Sequence, residues 1–342
     1  MKNLDDQKLI NKTDPKGMLG LIECFPGQCE KGRGIVKEFN LKPDYLEGRK
    51  IQNIMVTGLG GSAIGGDLLR TYLLNSLNIP ILVNRNYLLP LMVDKNTLLI
   101  AVSYSGNTEE VISTYREAAR RLLKVVCITS GGKLLELAVM NKHISIKIPK
   151  NLPPRLATPY LFFPMLIILQ NSGLVDAKED INKLLNNLKP EKILKVGQQL
   201  ADNLSGKVPL IYTTASLEPA AIKFKTDINE NAKMHAFYNV LPELNHNELN
   251  GFVKQMANFY VIVLEDEKEG QRMKKTISAV KSIIRKKGVP ITDIVLKGDS
   301  RLLNVFTGIM IGLWTSYFLA IKNDIDPTPV EMIEDLKKSL QP

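Results

Sequence analysis

A chain of 342 residues, 44% hydrophobic and 23% charged, has apolar mass for two buried cores and none of the bias of a disordered or fibrous protein. Its 45 Lys and Arg against 35 Asp and Glu give a net charge of +10, but the basic residues are scattered and only one Trp is present. That pattern argues against nucleic acid and reads mostly as solvated helix faces, leaving an anionic small molecule as a fitting partner.

The N-terminus, MKNLDDQKLINKTD, mixes charges of both signs and has no apolar core of a secretory signal. Cys24, Cys29 and Cys127 make an odd count with no zinc-type spacing, as expected of reduced thiols. The apolar stretches at 160–169 and 305–321 are too short or too interrupted by polar groups for a membrane span. A cytoplasmic protein with no membrane partner and no metal is expected.

In chain order, the runs at 51–58, 79–85, 97–105, 124–130 and 143–149 are aliphatic or β-branched, and helical patterns at 67–77, 108–123 and 133–140 separate them. Strand, helix, strand at this spacing predicts a parallel sheet with crossover helices on both faces. Segment 176–207 reads as two helices joined at Lys189-Pro190. A second series follows, with strands at 208–214, 235–240, 259–265 and 290–297 and helices near 217–233, 267–287 and 300–322. The prediction is an α/β protein of two doubly wound parallel-sheet domains, 1–175 and 176–342, each an α/β/α sandwich. At the tail, Asp326-Pro327-Thr328-Pro329 is a helix-start signature with Thr328 available as a cap.

Ligands of such sheets bind beyond the carboxyl ends of the strands, near helix N-termini. Three polar loops fall there in the first half: GLGGSAIGGD (58–67), SYSGNTEE (103–110) and SGGK (130–133). Glycines let the backbone approach a ligand, and hydroxyls with exposed N–H groups at a helix start are donors for an anion. Ser103, Ser105 and Thr108 are thus a donor set expected for a phosphate, although any one of them could be only a helix cap. A dinucleotide site is disfavoured, because Asn84 and Arg85 stand where an acidic ribose partner would end the second strand. No Gly-Lys-Ser/Thr loop marks an ATPase.

Five segments in order, GLGGSAIGGDLL, SYSGNTEE, PPRLATPYL (153–161), NENAKMHAFYNVLPELNHNELNG (229–251) and DIDPTPVEMIEDLKKSL (324–340), resemble those of the bifunctional phosphoglucose/phosphomannose isomerases, a double sugar-isomerase-domain (SIS) group. The likeness spans nearly the whole chain. It implies two SIS domains, a homodimer, no metal or other cofactor, and interconversion of glucose 6-phosphate and mannose 6-phosphate with fructose 6-phosphate through a cis-enediol.

Such chemistry needs a carboxylate base, a cation for the developing oxyanion and an acid–base pair for ring opening. By the resemblance, Glu230 is the C1/C2 base, Arg155 stabilises the enediolate, His246 serves ring opening across the dimer interface, and Lys337, preferred to the adjacent Lys338, assists at the ring oxygen. Gly60, Gly61, Ser62, Ser103, Ser105 and Thr108 hold the substrate, the hydroxyls gripping its phosphate. The substrate's carbonyl carbon would then meet a glutamate from the second half of the chain. A non-catalytic sugar-phosphate sensor of the same fold would keep the hydroxyl loops and lose the base, and another sugar-phosphate isomerase of this fold would keep both.

Overall fold

The computed structural model describes residues 7–36, 39, 41 and 50–340. The first six residues of the N-terminal segment read above lie outside the described residues. Two compact units emerge, Cys24–Asn187 and the described residues of Met1–Glu23 together with those of Leu188–Pro342. Helices α1 (Gln7–Thr13) and α2 (Met18–Glu23) therefore pack with the C-terminal part of the chain.

The unit Cys24–Asn187 is built on a five-stranded sheet of order β2-β1-β3-β4-β5, every pairing parallel. Its strands are β1 (Asn53–Thr57), β2 (Ile81–Asn84), β3 (Thr97–Val102), β4 (Lys124–Thr129) and β5 (Ile144–Lys147). Strands β1 and β3 are buried along their whole length, so they read as continuous apolar runs rather than alternating ones. The helices are α3 (Phe25–Gly34), α4 (Gly61–Leu73), α5 (Glu109–Arg120), α6 (Gly132–Met140), α7 (Thr158–Asn171) and α8 (Lys178–Asn187). One sheet face packs Met55, Leu99, Ala101, Val125 and Cys127 against Val111 and Tyr115 of α5 and Leu134 and Leu137 of α6. The other carries α4, with α7 and α3 stacked outside it.

Helix α4 starts six residues before the 67–77 pattern suggests, directly after the strand-end loop. Its glycines, which read as loop, are packing devices: a Cβ on Gly65 would lie 3.0 Å from the Leu161 carbonyl oxygen, and one on Gly66 would lie 2.9 Å from Val56. Close contact with α7 and β1 outweighs the poor helix propensity of glycine. Helix α8 belongs here because Ile181 and Leu184 are buried and Asp180 accepts a 2.9 Å hydrogen bond from the Tyr72 hydroxyl.

The second unit carries a four-stranded parallel sheet of order β7-β6-β8-β9. Its strands are β6 (Val208–Thr214), β7 (Phe237–Leu241), β8 (Phe259–Asp266) and β9 (Ile291–Leu296). The strand order around β6 matches that around β1, which makes the two sheets repeats of one plan. The helices are α9 (Pro190–Leu204), with Pro190 at its first position as the Lys189-Pro190 joint predicts, α10 (Glu218–Asn231), α11 (Gln271–Lys286), α12 (Arg301–Lys322) and α13 (Glu331–Ser339). Leu210, Tyr212, Val261 and Val263 face Ile277, Val280 and Ile284 of α11. On the opposite face α12 lies so close to α9 and α10 that a Cβ on Gly197 would lie 2.4 Å from that of Trp314, and one on Gly312 would lie 2.8 Å from the Phe224 ring. The N-terminal helices join through Asp14, which accepts from the Met18 and Leu19 amides at 2.8 and 2.9 Å and from the Tyr317 hydroxyl at 3.2 Å.

Two local readings are corrected. The stretch 305–321 lies in one unbroken helix, α12, that is long and apolar enough to cross a membrane; 94% of its most apolar window is buried inside the protein, where it serves as a core helix. Thr328 does not cap the last helix: α13 begins at Glu331 after Val330, with no side-chain cap, and Asp326 Oδ1 accepts from the Thr328 amide at 2.8 Å in a tight turn ahead of it.

Candidate active site

In the first unit the strand-end loops after β1, β3 and β4 come together. The turn after β3 is closed by a 2.8 Å hydrogen bond between the Ser103 and Thr108 hydroxyls and by the Gly106 amide, which donates to Ser103 Oγ at 3.1 Å. Thr108 is the N-cap of α5, yet its side chain caps no helix amide. The amides at the start of α5 thus receive no side-chain cap from Thr108. Ser105 is exposed; its Oγ accepts from the Asn107 amide at 3.2 Å and its proton points to no protein acceptor among the described residues.

The neighbouring loops lock this turn. Ser62 Oγ, at the start of α4, accepts from the Tyr104 amide at 3.2 Å. From the third loop, the Ser130 amide and hydroxyl donate to the Tyr104 carbonyl at 3.0 and 2.7 Å, the Leu134 amide to the Gly106 carbonyl at 2.8 Å, and the Lys133 amide to Asn107 Oδ1 at 3.0 Å. Gly106 has a φ of 72°, and a Cβ there would fall 1.8 Å from the Gly131 carbonyl oxygen, so only glycine fits.

Arg155 and the Gly60-Gly61 pair belong to the same neighbourhood. Arg155 lies in a single 3-10 turn, Pro154–Leu156, and is only 4% exposed. A Cβ on Gly61 would lie 2.8 Å from the Pro154 carbonyl oxygen and 3.3 Å from Arg155 Cα, and Gly60 has a φ of 51°. The two glycines let the start of α4 and the arginine turn touch. Gly60, Gly61, Ser62, Ser103, Ser105, Thr108 and Arg155 are therefore one cluster at the carboxyl ends of β1 and β3, the ligand end of a doubly wound sheet.

In the second unit Glu230 is half-buried in the last turn of α10. The turn around it is pinned: the Asn231 side chain donates to Ser316 Oγ at 2.9 Å, the Asn229 side chain to the Met234 carbonyl at 2.8 Å, and the Lys233 ammonium to the Glu230 carbonyl and, at 3.4 Å, to that of Pro327. One turn earlier the buried Lys223 and Asp227 form an ion pair. His246 ends a 3-10 turn, Glu243–His246, that follows β7, and is exposed. Its flank is tied down by Glu248, whose carboxylate accepts from the Tyr212 hydroxyl at 2.5 Å and from the Asn239 side chain. Burial first, and then the Glu248 carboxylate, push the Tyr212 phenol upward, so it remains a donor. This anchoring carboxylate escaped the sequence reading, although it is the Glu of the NHNE string.

Lys337 is exposed on α13, a helix with no buried side chain, and among the described residues it makes no hydrogen bond to Glu230 or His246. The adjacent Lys338 pairs with Asp335 at 3.1 Å. The structure joins the hydroxyl turn, the glycines and Arg155 in one unit and ties the Glu230 turn to residue 327 in the other.

Two family models match the chain: the SIS domain over residues 49–150 and the bacterial phospho-glucose isomerase C-terminal SIS domain over residues 195–340. A bifunctional phosphoglucose/phosphomannose isomerase of Caldicellulosiruptor bescii is 38% identical over 330 residues, covering 92% of this chain and 96% of the relative. The chain belongs to the bifunctional phosphoglucose/phosphomannose isomerase family. The family's neighbourhood is wider in chemistry: a D-glucosamine-6-phosphate 4-epimerase of Sulfolobus acidocaldarius is 34% identical over 238 residues, 67% of this chain and 73% of that one. Among solved structures, the C-terminal domain of glucosamine-fructose-6-phosphate aminotransferase from Francisella tularensis superposes with a TM-score of 0.70 at 16% identity, covering 91% of this chain and 97% of that one. At that identity the likeness speaks for the double SIS fold alone.

Proposed function

We propose that this member of the phosphoglucose/phosphomannose isomerase family interconverts glucose 6-phosphate and mannose 6-phosphate with fructose 6-phosphate. The observation that carries the reading is the 103–108 turn, where hydroxyls and helix N–H groups converge and Thr108 is not consumed as a cap. A phosphate monoester, with three acceptor oxygens, suits that donor set.

In the proposed reaction the sugar ring opens with proton transfer assisted by His246, and Lys337 assists at the ring oxygen. The Glu230 carboxylate then takes the proton from C2 of the open aldose. The C2–H electron pair forms the C1–C2 double bond as the carbonyl π electrons move to O1, which takes up a proton to give a cis-enediol. Arg155 stabilises the negative charge developing on the oxygens. Return of the proton from Glu230 to C1, with loss of the O2 proton, completes the ketose. No cofactor enters this scheme. A half-exposed carboxylate on a pinned helix end suits a base that must reach a substrate without wandering.

A homodimer, with His246 serving the partner's substrate, belongs to the same proposal; an exposed imidazole on a firmly tied turn supports it. So does a place in cytoplasmic hexose phosphate metabolism, in glycolysis and gluconeogenesis. The kinship to a 4-epimerase keeps open a rival, another sugar-phosphate isomerase of this fold. The deciding experiment is a coupled assay run in parallel on glucose 6-phosphate and mannose 6-phosphate. Turnover of both to fructose 6-phosphate is expected; turnover of neither refutes the reading.

A further inference from the structure

The donors that converge at the 103–108 turn are hydroxyls and amides, all of them neutral, whereas a phosphate monoester carries about −1.5 to −2 charges near pH 7. A cation stands beside the turn that neither the motif nor the reading above assigns. The hydroxyl of Tyr104, itself part of the turn, donates to the Pro149 carbonyl at 2.9 Å and accepts from the Leu152 amide at 2.9 Å. This one side chain straps segment 149–152 to the turn, and Asn151, with a φ of 67°, makes the tight bend between the two anchor points. Lys150 sits within the strap. A Cβ on Gly131 would lie 3.5 Å from Lys150 Nζ, and the Gly131 carbonyl is itself packed against Gly106. Lys150 is exposed, and among the described residues its ammonium makes no hydrogen bond or ion pair.

We infer that Lys150 is the cation of the phosphate site, held at the rim of the 103–108 turn by the Tyr104 strap, and that it sets affinity for the phosphorylated end of the sugar. The inference rests on the reading of that turn as the phosphate site. A lysine is suited to the place because its flexible stem lets a compact charge swing onto a phosphate oxygen as the ligand arrives and release it with the product. The contact is the same in ground and transition states, so it acts on binding and not on the proton transfer.

The test uses the full-length protein with fructose 6-phosphate as substrate and inorganic phosphate as competitive probe. Lys150→Met is expected to raise KM and the phosphate inhibition constant about tenfold, as for loss of a charge-assisted hydrogen bond, with kcat little changed. Lys150→Arg is expected to restore most of both, and Lys150→Met to flatten the dependence of kcat/KM on salt. The Ser105→Ala, Thr108→Ala double variant separates the inference from its foundation. If that variant weakens phosphate binding while Lys150→Met leaves KM and the inhibition constant unchanged, Lys150 is overturned and the turn stands. If neither variant weakens phosphate binding, the phosphate site lies elsewhere and both readings fall.

Discussion

Ser103 and Thr108 share a 2.8 Å hydrogen bond across the turn that begins α5, and the N-cap side chain therefore leaves the amides of its own helix uncapped. An N-cap hydroxyl ordinarily satisfies one of those amides and stabilises the helix by about 1 kcal/mol. Here that contribution is forgone, and donors remain at the positive end of the helix dipole.

If those donors hold phosphate equally in ground and transition states, the Ser105→Ala, Thr108→Ala double variant raises KM for fructose 6-phosphate by at least about tenfold while kcat falls much less. Steady-state kinetics read the split. An equal fall in kcat with an unchanged KM would move these hydroxyls from binding to the chemical step.

The turn also depends on a glycine that no side chain replaces. Gly106→Ala brings a Cβ onto the Gly131 carbonyl at a positive φ, and a loss of about 2–4 kcal/mol of unfolding free energy is expected. Gly288, with a φ of 76° and open space around it, is the control. Gly288→Ala should cost only about 1–2 kcal/mol, the conformational term alone. Urea unfolding of the two variants measures the difference, and equal losses would show that the Gly131 contact relaxes freely.

Glu230→Gln keeps the shape of the helix end and removes the proposed base. Substrate-induced exchange of deuterium into the C1/C2 positions should disappear, while the variant still binds sugar phosphate in a calorimeter. Wild-type exchange would assign the base elsewhere.

Beneath Glu230, the Lys223–Asp227 pair has side chains 1% and 0% exposed. Lys223→Met leaves a carboxylate buried without its cation, and a loss of about 3–5 kcal/mol is expected. The Lys223→Met, Asp227→Leu double variant should recover most of it, because two apolar residues bury at less cost than a carboxylate deprived of this ammonium. Thermal unfolding of the set decides; no recovery in the double variant would show that the pair does more than neutralise itself.

Strand and crossover positions were legible in the sequence because a strand buried on both faces must be apolar along its length: β1, β3, β4 and β6 lie within a few residues of where their aliphatic runs stand. The second series was equally plain, down to Pro190 opening α9. Helix α4 was half hidden, since Gly61, Gly65 and Gly66 look like loop until α7 and β1 are seen pressed against them. The N-terminal helices were missed, because α1 and α2 are short and find their place through long-range contacts such as that of Asp14 with Tyr317, 303 positions apart in the chain. With them, and with α8, the compact units depart from a division at residue 175: the described residues 7–23 belong to the unit of the second sheet and 176–187 to that of the first.

The candidate site divides in the same way. Residue types and spacing in SYSGNT were sufficient to nominate the hydroxyls, whereas Arg155, Glu230 and His246 were nominated by the resemblance of PPRLA, NENAK and NHNE to the isomerase family. Only the tertiary structure decided that the Gly61 backbone abuts the Arg155 turn, that Ser130 and Asn107 lock the hydroxyl turn, and that Tyr104 carries Lys150 to its edge. Those contacts join residues distant in the chain, and periodicity and motif spacing report only on neighbours within one element; which loops meet at the end of a sheet is set by the packing of helices against strands, which no local pattern encodes.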